Sequence, residues 1–215
     1  MSHEHHEVDL ATMYSQETWD ARYAESERIW SGNPNPRLVE HVADLTPGRA
    51  LDIGCGEGAD VVWLAQQGWQ ATGVDVSEVA LLRAAEHAEG AGVEDKVAWE
   101  RVDLMGGGEL PGDMDLVSVQ FFHPPVDRFA ELTQRMGAAV RPGGHLLVVG
   151  HHPADLETGV RKPHGPDLLF TPDRVTAALP EADWEVLVAD VPTRDHPTDD
   201  GPVTVTDTVV LARRR

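Results

Sequence analysis

Three carboxylates and one glycine-dense turn carry the most legible chemistry in this sequence. Asp52 immediately precedes Gly54-Cys55-Gly56-Glu57-Gly58, Asp75 follows the turn by about twenty residues, and Asp103 closes the next apolar run. A glycine turn between a strand and a helix presents backbone N–H groups to a ligand. The spacing of Asp75 suits the hydroxyls of a ribose. Asp52 is placed to hold the ammonium of an amino-acid portion lying across the turn, and Asp103 can accept a hydrogen bond from an adenine amino group.

Histidines form the second set. His123 follows a fourth apolar run, and His151 and His152 follow a fifth. An unperturbed imidazole titrates near pH 6.5, about where a general base is useful, so each is a candidate base and equally a polar loop residue. The spacing of His123, His151, His152 and Asp155 matches no standard metal site. Cys55 reads as a small residue against tightly turning backbone rather than as a nucleophile.

Strand ends must position these groups. Apolar runs at Ala50 to Asp52, Gln70 to Asp75, Val97 to Val102, Asp115 to Gln120 and Leu146 to Gly150 alternate with helical patterns. Ser77 is placed to cap a long alanine-rich helix, and Asn35-Pro36 and Thr171-Pro172-Asp173 begin two others. Phe129, Leu132, Thr133, Met136 and Val140 share one helical face, and Pro142-Gly143-Gly144 reads as a turn. This alternation predicts a parallel sheet covered on both faces. Trp184 to Val191 and Thr204 to Leu211 read as the last strands, joined by a long loop at Arg194 to Pro202. Ahead of the first strand, Trp19, Tyr23 and Trp30 recur at helical spacing behind Ser15 as cap. Such an aromatic face can pack on the sheet or close over a flat ligand.

Composition narrows the function classes. The 215 residues suit one domain, and the formal charge of −20 repels phosphate backbones and anionic membranes, which argues against a nucleic-acid or membrane partner. A lone cysteine excludes an internal disulfide. No apolar run approaches the ~18 residues of a membrane span and the acidic N-terminus is unlike a signal peptide, so a cytoplasmic protein is expected. Residues 1–14, with His3, His5 and His6 among acids, read as a tail.

The turn also satisfies the relaxed dinucleotide fingerprint through Gly54, Gly56 and Ala59. Against that reading stand the compact G-x-G-x-G form, Asp52 beside the position of a pyrophosphate, and the antiparallel final strands. Taken in order, Leu51 to Gly58, Val74-Asp75-Val76-Ser77, Val102-Asp103-Leu104, Asp115 to Gln120 and Arg141 to Gly144 resemble the motifs of class I S-adenosylmethionine-dependent methyltransferases. Within them, Trp19 to Tyr23, Trp30 to Pro36 and the GCGEG turn are most similar to the tellurite-resistance and thiopurine small-molecule group. The resemblance implies a Rossmann-like α/β fold, with a mostly parallel seven-stranded sheet, an antiparallel last strand and helices on both faces. It implies S-adenosyl-L-methionine as cofactor, held by Trp19, Tyr23, Trp30, Asp52, Gly54, Cys55, Gly56, Asp75, Val76, Asp103, Leu104 and Gln120, with residues 15–46 as a helical lid. Methyl transfer to a small-molecule acceptor follows, a thiol or metalloid being favoured, by a monomer or homodimer. The alternatives are O- or N-methylation with His123, His151 or His152 as base, and a non-catalytic protein that binds the cofactor.

Overall fold

The computed structural model describes residues 10–26, 28–158, 166–198 and 201–215. Short helices α1 (Leu10–Met13), α2 (Gln16–Ala24) and α3 (Pro36–Val42) precede the sheet. Then come β1 (Arg49–Ile53), α4 (Ala59–Gln66), β2 (Gln70–Asp75), α5 (Glu78–Ala91), β3 (Val97–Arg101) and β4 (Met114–Gln120). The chain continues through α6 (Phe129–Ala138), β5 (Val140–His151), α7 (Pro172–Ala178), β6 (Trp184–Asp190), β7 (Thr193–His196) and β8 (Val203–Arg214).

The strand order is β3-β2-β1-β4-β5-β8-β6, with β7 paired to β8. β1 to β5 run parallel, and β8 is antiparallel to β5, β6 and β7. The winding reverses between β1 and β4, and the crevice beyond the carboxyl ends of these two strands is where open α/β sheets bind ligands. Asp52 pairs in register with Ser118 across this seam.

Side chains alternate between two cores. Leu51, Ile53, Val117, Val119, Leu146 and Val148 pack on Phe129, Leu132 and Met136 of α6 and Val175 of α7. Ala50, Leu116, Leu147 and Val149 pack on Leu38 and Val42 of α3, Val61 and Leu64 of α4, and Leu81 of α5. Burial on both faces explains the near-continuous apolar runs of β4 and β5. Local chemistry sets the helix starts. The side chains of Ser15, Asn35 and Ser77 accept the N–H groups of Thr18, Arg37 and Ala80.

Three expectations are corrected. The segment after Thr193 is partly strand, because Arg194 reaches across the hairpin to both oxygens of buried Asp207 at 3.2 and 2.9 Å; β7 is therefore an eighth strand on the expected seven. Val140 belongs to β5, not to the preceding helix, and Arg141 to Gly144 form a bulge between the pairs Met114–Val140 and Leu116–His145. Trp30 is not on the Trp19 helix, which ends at Ala24. None of the helices among the described residues is long and apolar enough to cross a membrane.

Candidate functional site

The turn after β1 is fastened to β2. Gly54 and Cys55 donate their N–H groups to the Val74 carbonyl at 2.8 and 3.1 Å, and the Gly56 N–H reaches Asp75 Oδ2 at 2.9 Å. Asp75 Oδ1 accepts the Ser77 N–H at 2.9 Å, so neither oxygen has spent its accepting capacity. Burial raises the Asp75 pKa, and these N–H bonds pull it back. Gly56 lies in the left-handed region at φ +52°, where a Cβ would meet Tyr23 Oη at 2.8 Å.

Asp52 is buried at the end of β1. The Ser118 hydroxyl donates to it and accepts from Gln120 Nε2 at 3.0 Å, giving a directed chain from Gln120 through Ser118 to Asp52. Asp52 Oδ1 and Gln120 Oε1 are buried and have no hydrogen-bond partner among the described residues. Buried acceptors without donors are rare, so two on one network ask for a ligand that brings N–H or O–H groups. Asp60, the second residue of α4, accepts the Asn35 N–H at 2.6 Å, and burial pushes its carboxyl up to about 6. Burial first, and then the neighbouring Asp60, hold Asp52 well above the usual carboxylate range. A positive ligand would relieve this crowding.

The N-terminal segment covers the turn. Asp20 of α2 accepts from Ser77 Oγ at 2.6 Å and from the Val79 N–H at 3.2 Å, docking α2 on the start of α5. Tyr23 is buried, and its hydroxyl accepts from Trp30 Nε1 at 3.1 Å directly over Gly56. The Trp19 and Tyr23 rings lie 5.9 Å apart, and the Arg22 guanidinium lies 5.0 Å from the Trp19 ring and 5.6 Å from that of Trp30. Trp30 itself is 46% exposed.

Beyond β4 and β5 the wall is aromatic. Phe121 adopts φ +56° as β4 ends, a conformation that non-glycine residues rarely hold away from functional sites. Its ring lies 4.5 Å from that of His151, which stacks on His123 at 4.8 Å, and Phe170 lies 5.7 Å from His123. His123 is buried, and its Nε2 accepts the His151 N–H at 3.1 Å. This bond assigns the ring proton to Nδ1 in the neutral imidazole. Tyr14 Oη donates to the His123 carbonyl at 2.6 Å. His152 Nδ1 accepts the Ala154 N–H at 3.1 Å and caps a short 3-10 turn. Among the described residues no three His, Cys, Asp or Glu side chains form a metal-holding group; His3, His5, His6 and His164 lie outside them.

Comparison with known proteins narrows what this arrangement is. Ribosomal RNA small subunit methyltransferase C of Alcanivorax borkumensis is 34% identical over 113 residues, 49% of this chain and 33% of that protein. The 27-O-demethylrifamycin SV methyltransferase of Amycolatopsis mediterranei is 32% identical over 150 residues, 66% of this chain and 54% of that protein. The chain thus spans about a third to about half the length of these curated relatives. TehB from Haemophilus influenzae has a similar fold, with a TM-score of 0.69 at 18% identity over 93% of this chain and 67% of that one. Residues 50–144 match the family described as Methyltransferase domain.

Residues 50–144 thus form a methyltransferase domain, a family whose cofactor is S-adenosylmethionine.

The residues around the turn fit that cofactor, a nucleoside with an amino-acid tail and a sulfonium. The orphaned Asp52 and Gln120 oxygens suit the ammonium, and the spare capacity of Asp75 suits ribose hydroxyls. Val76 is half-buried next to Asp75, and Leu104 is buried. Asp103 is exposed and closes its own loop by accepting the Gly106 N–H at 2.7 Å through Oδ1. Cys55 is buried, and burial with Asp75 and Asp52 pushes its thiol up, which keeps it protonated and unreactive. Sequence reasoning missed Asp20, Asp60 and Ser118. Asp60 sits four residues past the motif's second glycine, and Ser118 is the one hydroxyl in an otherwise apolar strand centre; Asp20 carries no local signal.

Proposed function

We propose that this protein transfers the methyl group of S-adenosylmethionine to a small molecule with a soft nucleophilic atom, a thiol or metalloid. The observation that carries the reading is the buried chain Gln120–Ser118–Asp52, with an orphaned acceptor at each end, beside the half-used carboxylate of Asp75. When bound, S-adenosylmethionine supplies an electrophilic methyl carbon on sulfur. The chain's own part is to hold donor and acceptor in line and away from water. Asp75 binds the ribose, Asp52 and Gln120 the ammonium, Gly54 and Gly56 the backbone side of the turn, and Asp103 with Leu104 the adenine end. Trp19, Tyr23 and Trp30 of the 15–46 lid cover the donor, and Phe121, Phe122 and Phe170 face the acceptor.

The soft-acceptor reading is supported by what the candidate bases already do. His123 Nε2 and His152 Nδ1 each accept a backbone N–H, which leaves those lone pairs engaged, and a thiolate or oxyanion arrives without a proton to remove. The acidic charge and the rifamycin-acting relative support a small-molecule acceptor over RNA, although one relative is a ribosomal RNA methyltransferase. We place the activity in the cytoplasm, in a monomer or homodimer. The test is methyl-labelled S-adenosylmethionine offered with thiols, metalloid oxyanions, halides, phenols, amines and ribosomal RNA. Label in a thiol or metalloid product, abolished by Asp75→Ala, supports the proposal; label only in RNA, or none in any acceptor, refutes it.

A further inference from the structure

Glu57 lies inside the glycine turn, yet its carboxylate bonds to the lid. It is buried and accepts the N–H groups of Ile29 and Trp30 on Oε2 at 3.2 and 3.1 Å. Arg83 of α5 pairs with its Oε1 at 3.0 Å. The same guanidinium donates to the carbonyls of Tyr23 and Ser26, both at 2.7 Å. His87, one turn further along α5, bonds the Glu57 carbonyl through Nδ1 at 2.8 Å. One carboxylate and one planar guanidinium therefore join the donor turn, the end of α2 and the Trp30 loop. Bonds of this kind, with a charged side chain on at least one side, are stronger than neutral ones. On the neighbouring residue, the Gly56 N–H is held by Asp75 while Tyr23 Oη sits over the glycine. The lid thus rests on the same two turn residues whose backbone faces the proposed donor.

We infer that Glu57 and Arg83 are positioning residues that latch Tyr23, Ser26, Ile29 and Trp30 to the donor turn, coupling donor binding to closure of the lid. The inference rests on the donor-site reading above. A pair that only stabilised the fold would lower the melting temperature and leave the response to donor unchanged. A latch makes the two inseparable: a ligand that fixes the turn also fixes the Ile29 and Trp30 amides that sit on Glu57.

Hydrogen exchange of the full chain, with and without S-adenosylhomocysteine, reads this directly. In the wild-type protein the ligand slows exchange at Ile29 and Trp30. Arg83→Gln and Glu57→Gln, each removing the ion pair, speed ligand-free exchange there by about ten- to hundredfold, the loss expected for a bond to a charged group. Both weaken S-adenosylhomocysteine binding by roughly tenfold and abolish its protection of the lid. Arg83→Lys does not rescue, because an ammonium cannot span Glu57 and two carbonyls as the guanidinium does. Arg83 is half-buried, less enclosed than Glu57, so its variants keep the test open if Glu57→Gln does not fold. Wild-type affinity in the variants, or a lid unprotected in wild-type protein that binds the ligand, overturns the coupling alone. Failure of the wild-type protein to bind overturns the donor-site reading, and the coupling with it.

Discussion

Gly56→Ala would separate the lid from the sheet without touching either core. At φ +52° an alanine pays roughly 1 kcal/mol in backbone strain. The added Cβ lands 2.8 Å from Tyr23 Oη and 3.3 Å from Trp30 Nε1. Tyr23 is buried and its carbonyl is held by Arg83, so the ring tip must give way and the bond from Trp30 is lost, for about 1 kcal/mol more. A total of about 2 kcal/mol corresponds to a fall in Tm of roughly 4–8 °C for a chain of this size. Gly92→Ala is the control. Its φ is +67°, but a Cβ there meets nothing within 4 Å, so only the backbone part applies and Tm falls by about 2–4 °C. Thermal melts and calorimetric titration with S-adenosylhomocysteine distinguish the two. Gly56→Ala should melt lower than Gly92→Ala and bind at least about tenfold more weakly, as loss of a bond-sized contact requires, while Gly92→Ala binds like the wild type. Equal melts with normal binding by Gly56→Ala would refute the idea that the lid rests on the turn.

Two further outcomes follow from the same site. Asp60, pushed up to about 6, and Asp52, raised in the same direction, hold their protons more tightly folded than unfolded. The contribution of Asp60 to stability is therefore full below about pH 4, near the ordinary Asp value, and is lost as the pH rises through about 6, and that of Asp52 changes in the same direction. Affinity for the cationic donor should move the opposite way, rising over that interval, and Asp60→Asn should flatten both profiles in melts and titrations from pH 4 to 8. For Trp30→Ala, nearly half-exposed, a stability loss of only about 1 kcal/mol is expected, with a larger effect on donor binding; a large drop in Tm with unchanged affinity would make Trp30 a packing residue.

Much of the fold was legible because its determinants are local. The caps at Ser15, Asn35 and Ser77 and the carboxylates at the ends of β1 and β2 all reappear within a residue or so of where their side-chain chemistry puts them. What was hidden depends on contacts between distant positions. Trp30 continues the helical spacing of Trp19 and Tyr23, but the helix ends at Ala24, and the Ser26 hydroxyl bonds the Arg28 carbonyl at 3.1 Å in the turn that follows. β7 forms in a polar segment because Arg194 finds Asp207, and Arg37 meets that same carboxylate from α3 at 3.3 Å. Glu57 and Arg83 lie 26 residues apart, and neither pattern nor propensity reveals that they share the lid. His123 was conspicuous after β4; that its Nε2 accepts a backbone N–H from β5 emerges only once the two strand ends are side by side.

The most direct test is a crystal structure with S-adenosylhomocysteine bound. The account predicts ribose hydroxyls on Asp75, the ammonium against Asp52 Oδ1 and Gln120 Oε1, and Tyr23 and Trp30 closed over the turn. A ligand bound elsewhere, or one that leaves those two buried oxygens without a donor, would contradict it.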